Sequence, residues 1–113
     1  MDATRASALL DELERAVERR LQHLTDDAES LSHDRADATA DDEHDPEGST
    51  LSGEWAHVDA LARAAREERR EIRAARERVA SGTFGVCEVC GRGIADARLE
   101  ARPTARRCIA CAV

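Results

Sequence analysis

The sequence predicts a mainly α-helical protein, an antiparallel helical hairpin of the coiled-coil type followed by a small four-cysteine unit. Three observations predict this fold class. Apolar residues recur every seven positions in two long segments, a polar stretch containing Pro46 separates these segments, and the four cysteines form two Cys-x-x-Cys pairs near the end. Because aromatic residues make up only 2% of the 113 residues, a broad globular core is not expected.

The first apolar repeat predicts a helix over residues 6–31. Its apolar residues form one stripe with charged flanks, which is typical of a helix that packs along a partner helix. The positions that recur every seven residues are Leu10, Val17, Leu24 and Leu31, and Leu13, Leu21 and Ala28 fill the intervening turns.

The second apolar repeat predicts another helix, which ends near Gly82, a residue suited to a helix C-terminus. Each helix alone would leave its apolar edge in water, so we expect the two to pair as an antiparallel hairpin. At ~1.5 Å per residue, helices of roughly 25–30 residues would reach about 40 Å. The second stripe consists of Leu51, Val58, Ala65, Ile72 and Val79, reinforced by Trp55, Leu61, Ala62 and Ala75.

The polar segment at about residues 32–50 is expected to be the loop that reverses the chain. We therefore expect a hairpin domain over residues 1–81 and a cysteine-containing domain over residues 82–113. The loop is rich in acids, for which a solvated surface is the simplest explanation when the loop is considered alone. Its acidic residues are Asp41, Asp42, Glu43, Asp45 and Glu47.

The cysteine spacing predicts a metal site formed by Cys87, Cys90, Cys108 and Cys111. Two Cys-x-x-Cys turns can supply the four thiolates of a closed structural Zn²⁺ site, which leaves no position for catalytic water. A redox dithiol, an iron–sulfur cluster and four ordinary buried cysteines are the alternatives. The unit has few apolar residues to bury, so we expect one zinc ion to stabilise its fold. These residues are Phe84, Val86, Val89, Ile94, Leu99 and Ile109.

The distribution of charge disfavours direct DNA binding by the chain as a whole. Of the formal net charge of −7, residues 1–53 contribute −10, with fifteen acids and five arginines. Binding to DNA phosphates requires clustered cations. Neither a membrane-spanning apolar run nor the pattern of a signal peptide is present, so the sequence predicts a cytoplasmic protein with no membrane partner.

The cysteine-containing segment resembles the DksA/TraR family of bacterial transcription factors. The similarity is densest in GTFGVCEVCG and ARLEARPTARRCIAC, which include all four cysteines and the RLEARPT run at Arg98–Thr104. It extends more loosely back through the hairpin.

This resemblance implies a protein that binds RNA polymerase and not a promoter. In the family, the coiled-coil hairpin enters the secondary channel of the polymerase and places an acidic tip near the catalytic centre. The tip role would fall on Asp41, Asp42, Glu43, Asp45 and Glu47, and Asp45 with Pro46 matches the family tip. Some members act together with the alarmone ppGpp. Gly48 and Thr50 replace the second Asp and the Ala of the family tip, which counts against ppGpp here.

Two other functions compete with this interpretation. The five arginines of residues 82–113 could form a nucleic-acid-binding patch, although four thiolates with Zn²⁺ add about −2, which cancels the +2 of the segment. Alternatively, the stripes could pair between chains in a structural coiled-coil adaptor, whereas an intrachain hairpin predicts a monomer. No nucleophile–base set or phosphate-binding loop indicates an enzyme.

Overall fold

The computed structural model of the protein consists of long helices and a compact cysteine-containing segment. It describes residues 1–41 and 47–112, with the backbone alone for residues 35, 37–41 and 47–51. The elements are α1 (Ala3–Asp41), α2 (Glu47–Ser81) and α3 (Asp96–Ala101). Within these described residues, the β-structure amounts to one isolated antiparallel bridge between Val86 and Gly93. The expected helical hairpin followed by a four-cysteine unit is confirmed.

Both long helices continue into the segment where the sequence predicts a loop. Helix α1 runs to Asp41 and α2 begins at Glu47, although a loop was expected over about residues 32–50. The physical reason is local, because residues 32–41 contain neither glycine nor proline and include three alanines, which favour helix. Asp42, Glu43 and Asp45 lie outside the described residues.

The chain forms two compact units. One, which we call the finger unit, comprises Met1–Ala16 and Glu68–Val113, and the other, the hairpin unit, comprises Val17–Glu67. Each unit contains part of α1 and part of α2. The expected division into a hairpin domain over residues 1–81 and a cysteine-containing domain over residues 82–113 stays a prediction.

Several positions of the seven-residue stripes are buried in the long helices, whereas Leu31, Val58 and Val79 are half-buried. On α1, Leu10 and Val17 are fully buried and Leu24 is 7% exposed. On α2, Ala65 and Ile72 are fully buried. The same spacing that predicted the stripes therefore places these residues in the interior of the two units.

Two residues assigned to the second stripe are instead exposed, Trp55 at 39% and Leu61 at 42%. The neighbouring Ala62 is half-buried, so at this point the buried face of α2 includes Ala62 and not Leu61.

Ion pairs supplement the apolar contacts in the finger unit. One guanidinium nitrogen of Arg76 on α2 lies 2.6 Å from Asp11 and 2.5 Å from Glu14 on α1. The two carboxylates raise the pKa of Arg76, chiefly through the hydrogen bond to Asp11.

No helix of the described part of the chain has both the length and the apolar character needed to cross a membrane.

Candidate metal centre

A glycine turn connects α2 to the cysteines. Helix α2 ends at Ser81, and Gly82 adopts a positive φ of 77°, which glycine accommodates without steric cost. The backbone N–H groups of Thr83 and Phe84 then donate to the carbonyl of Arg78 at 2.9 and 3.1 Å, satisfying the open end of the helix. The role expected for Gly82 is confirmed, and the turn directs the chain toward the first cysteine.

Backbone hydrogen bonds shape the first Cys-x-x-Cys turn. The carbonyl of Cys87 accepts the N–H of Gly91 at 3.0 Å, and the N–H of Cys87 donates to the carbonyl of Arg92 at 2.8 Å. A further bond from Ile94 N–H to the carbonyl of Gly85, at 2.7 Å, closes the loop. The sulfurs of the first pair are thus held by a loop whose polar backbone groups are themselves paired.

The second turn follows α3. The N–H of Cys111 donates to the carbonyl of Cys108 at 3.0 Å, the equivalent of a single helical turn. The two turns are joined by a hydrogen bond from Glu88 N–H to the carbonyl of Arg106, at 2.9 Å. This bond holds the second cysteine pair beside the first.

The four cysteine sulfurs converge on one point. The Sγ atoms of Cys87, Cys90, Cys108 and Cys111 all lie within 4.8 Å of one another, and those of Cys90 and Cys108 are 3.8 Å apart. With a Zn–S distance of ~2.3 Å, a tetrahedral shell separates its sulfurs by about 3.8 Å. The spacing of the sulfurs therefore fits a single four-coordinate zinc ion.

The electrostatics of the cluster also call for a cation. Hydrogen bonds from the backbone at Cys90 and Cys108 lower the pKa of Cys87 to about 6. The hydrogen bond with the Cys108 thiol, together with desolvation, raises the pKa of Cys111 to about 12. The backbone at Arg92 lowers the pKa of Cys90, but desolvation and the neighbouring thiols outweigh it, and that pKa is raised. Four thiols at this distance cannot all ionise unless a positive ion offsets their charge.

The apolar shell around the cluster is smaller than expected. Its buried residues are Cys87, Ile94, Leu99 and Ala105, with Met1, Phe84, Cys108 and Cys111 packed against them. The expectation that all six apolar residues of the segment are buried is wrong for three of them. Val86 is 43% exposed, Val89 is 61% exposed and Ile109 is 82% exposed. Val89 and Ile109 lie inside the Cys-x-x-Cys turns, which point their middle residues away from the sulfurs. The small buried area strengthens the argument that an ion stabilises the segment.

Besides the pairs of Arg76, three side-chain ion pairs of the finger unit were not anticipated from the sequence. Arg106 Nε donates to Glu71 at 3.0 Å, and Arg107 Nε donates to Glu88 at 3.1 Å. Arg5 bonds both carboxylate oxygens of Glu100 in α3. Two of the three join residues more than thirty positions apart, for which a single sequence contains no local pattern.

The structure does not bring the predicted tip residues into a described site. Asp41 is the last residue of α1 and Glu47 is the first residue of α2. Asp42, Glu43 and Asp45 lie outside the described residues. The role assigned to these five acids accordingly stays a prediction.

Comparison with known proteins gives matches to both parts of the architecture. Residues 82–113 match the family described as the prokaryotic dksA/traR C4-type zinc finger. An uncharacterized protein of Aquifex aeolicus (strain VF5) is 49% identical over 43 residues, which are 38% of this chain. The match spans only 30% of the length of that relative.

A solved structure matches nearly the whole chain. It is transcription factor DksA2 from Pseudomonas aeruginosa, with 25% sequence identity and a TM-score of 0.56. The likeness covers 97% of this chain and 85% of the other. The convergent thiols and the C4-type match together indicate one structural zinc ion. Residues 82–113 thus form a zinc finger of the dksA/traR C4 type, and the chain as a whole is similar in fold to transcription factor DksA2.

Proposed function

We propose that this protein is a zinc-containing transcription regulator that binds RNA polymerase and inserts the tip of its hairpin into the secondary channel to modulate initiation. The observation that carries the proposal is the likeness, over 97% of this chain, to a transcription factor with the same fold. The C4-type finger match at residues 82–113 supports it independently. The proposal places the protein in the cytoplasm, where the polymerase acts.

The hairpin supplies the means of action in this proposal. Helices of 39 and 35 residues connect the finger to the acidic segment around residue 44. Carboxylates brought near a polymerase catalytic centre would act on its Mg²⁺ ions, the largest local charges there. The residues proposed for this role are Asp41, Asp42, Glu43, Asp45 and Glu47.

The finger has a structural role in this proposal, with Cys87, Cys90, Cys108 and Cys111 as the zinc ligands. Four protein sulfurs complete the coordination shell of a structural zinc, so the ion would offer no open position for a substrate. The protein would regulate another enzyme without catalysing a reaction itself. Joint action with ppGpp is tested by adding ppGpp to a transcription assay with purified components.

The finger's own ion pairs weaken the nucleic-acid alternative. Arg106 and Arg107 are paired with Glu71 and Glu88, and Arg98 donates to the carbonyl of Arg107 at 2.8 Å. Cations already paired with carboxylates contribute less to phosphate binding. We therefore favour protein recognition over direct DNA binding. Because stripe residues such as Leu24 and Ala65 are already buried within one chain, we also favour a monomer over an interchain adaptor.

The proposal is tested by recovering core RNA polymerase from the source lysate with the tagged full-length protein, followed by transcription with purified components. We expect Asp45→Asn, and more strongly the variant with all five tip acids neutralised, to retain zinc and polymerase binding while losing the effect on initiation. Glu54→Gln, an exposed acid on α2 outside the tip, is the matched control and should regulate normally. A five-acid variant that regulates like the parent would refute tip entry, and failure to recover polymerase would refute the partner.

A further inference from the structure

An apolar groove opens along the hairpin unit. It has a volume of about 390 Å³, within the usual range of protein binding sites. Both long helices contribute to it, so the groove is a feature of their pairing and not of either helix alone. The apolar residues that line it are Leu21, Leu24 and Ala28 of α1, with Trp55, Val58 and Ala62 of α2.

The burial of these residues shows that the groove is only partly covered by the protein itself. Leu24 at its base is 7% exposed, whereas Trp55 remains 39% exposed. Two helices cover each other along one line, and the flanks of both stripes stay open to solvent. Tryptophan is also the residue type that most often contributes strongly to protein–protein binding.

The charge around the groove indicates what kind of partner fits it. The parts of this unit that flank the groove and whose side chains the structure describes, residues 17–34 and 52–67, carry eight acids and four arginines, a net charge of −4. Glu29 and Asp59 line the groove together with Arg66, and Asp59 also pairs with Arg63 at 3.0 Å. A second copy of this unit would carry the same charge and be repelled, whereas a cationic partner would be attracted.

We propose that this groove, which we call the Trp55 groove, binds a basic amphipathic helix of a partner protein. Apolar side chains spaced at i, i+3, i+4 and i+7 on such a helix would enter the groove. Its lysine or arginine side chains would face Glu29 and Asp59 at the edge. This inference does not depend on the identity of the partner and goes beyond the proposed action of the tip.

Trp55 makes the proposal directly measurable, because it is the single tryptophan of the chain. The probe is a synthetic peptide of about 18 residues made of leucine, alanine and lysine, with leucines at helical spacing on one face. One control peptide has the same composition in scrambled order, and another has glutamate in place of lysine. We expect saturable binding and a blue shift of Trp55 emission with the basic amphipathic peptide alone.

Matched variants of the full-length protein distinguish binding in the groove from nonspecific binding of the peptide. Leu21→Ser alters the groove, and Leu61→Ser alters an exposed leucine of the same unit outside it. We expect the dissociation constant for the peptide to rise about tenfold or more for Leu21→Ser and to change less than about twofold for Leu61→Ser. The double variant Glu29→Gln/Asp59→Asn should also weaken binding, while Glu54→Gln should not.

Several outcomes would overturn the proposal. These are equal binding of all three peptides, no spectral response of Trp55, or equal losses in the two leucine variants. If Leu21→Ser reduces the helical content, the test rests on the variant Glu29→Gln/Asp59→Asn. Its side chains lie at the edge of the groove, so their replacement should leave the fold intact. Sedimentation showing a dimer that the groove variants dissociate would make a second copy the occupant. A protein that binds polymerase but not the basic peptide would retain the proposed function and lose only this inference.

Discussion

Arg5 and Glu100 lie 95 residues apart in the chain and form a bidentate salt bridge. The Nε of Arg5 donates to one carboxylate oxygen of Glu100 at 3.0 Å, and a terminal guanidinium nitrogen donates to the other at 2.6 Å. The pair fastens the beginning of α1 to α3, within the finger unit. The geometry requires the planar fork of arginine, which a lysine cannot reproduce.

The first prediction concerns the pH range in which this pair acts. The hydrogen bond from Arg5 lowers the pKa of Glu100. The stability that this ion pair contributes is therefore present at pH values above the ordinary carboxyl pKa, and it is lost only as the pH falls through the lowered pKa of Glu100. Glu100→Gln should lower the melting temperature slightly, by an amount that stays constant between pH 8 and pH 6. Thermal unfolding at several pH values measures it, with Glu77→Gln as an exposed-acid control. A difference that changes across this range would assign the pair's effect to another titrating group.

The second prediction tests the apolar stripe in the hairpin unit. Leu24 is 7% exposed, so Leu24→Asp would place an unpaired charge in the interior and should cost on the order of 3 kcal/mol or more. Leu61→Asp, at a position 42% exposed, should change the stability by less than about 1 kcal/mol. Denaturant unfolding followed by circular dichroism compares the two variants. Equal effects would mean that the stripe is not the stabilising contact. Val58→Asp, at a half-buried position, should fall between them.

The stripe also shows how far a single sequence predicts this fold. The seven-residue recurrence predicted the buried Leu10, Val17 and Ile72 because burial in paired helices follows the helical period. The period does not set where a helix ends, and the alanines of residues 32–41 extended α1 into the expected loop.

The metal centre was predicted more completely than its surroundings. The four ligands stand at a spacing that few other chemistries require, so their convergence could be anticipated. Helix α3 has six residues, too few for an apolar period to be visible. The pairing of Arg5 with Glu100 depends on the finished fold, and no local pattern in the sequence indicates it.

The third prediction concerns the dependence of the finger on its metal. Cys108→Ser should abolish stoichiometric zinc binding and unfold the finger while preserving most of the helical signal, because α1 and α2 pack through their own stripes. Atomic absorption and far-ultraviolet circular dichroism give the two readouts. Retention of one full equivalent of zinc by this variant would contradict the ligand assignment. Treatment of the parent with a strong chelator should reproduce the variant's spectrum.

The fourth prediction is the pH dependence of zinc affinity. The pKa of Cys111 is raised to about 12 and that of Cys90 is also raised, so both thiols must lose protons when zinc binds near pH 7. Affinity should therefore increase with pH, with a slope of about two or more in the logarithm of the binding constant. Below pH 6 the slope should steepen, since Cys87, with its pKa of about 6, then also binds a proton. Competition with a chromophoric chelator between pH 5 and pH 8 measures it, and a slope below one would contradict four-thiolate coordination.

The last prediction separates backbone conformation from packing beside the metal centre. Gly85 and Gly82 both have a φ of 77°, and a side chain in this left-handed region costs about 1–2 kcal/mol. A Cβ at Gly82 would meet nothing within 4 Å, whereas one at Gly85 would lie 3.3 Å from Cδ1 of Leu99. Leu99 is only 1% exposed and has little room to move.

Gly85→Ala should consequently destabilise the finger more than Gly82→Ala does, because the contact with Leu99 adds to the backbone cost that both positions share. Thermal unfolding of the zinc-loaded proteins, together with their zinc affinities, measures that difference. If the two alanine variants are equally destabilised, Leu99 yields to the added methyl group, and the left-handed backbone alone accounts for the glycine at position 85. If Gly82→Ala is the more damaging variant, the end of α2 rather than the packing around Cys87 limits the stability of the finger.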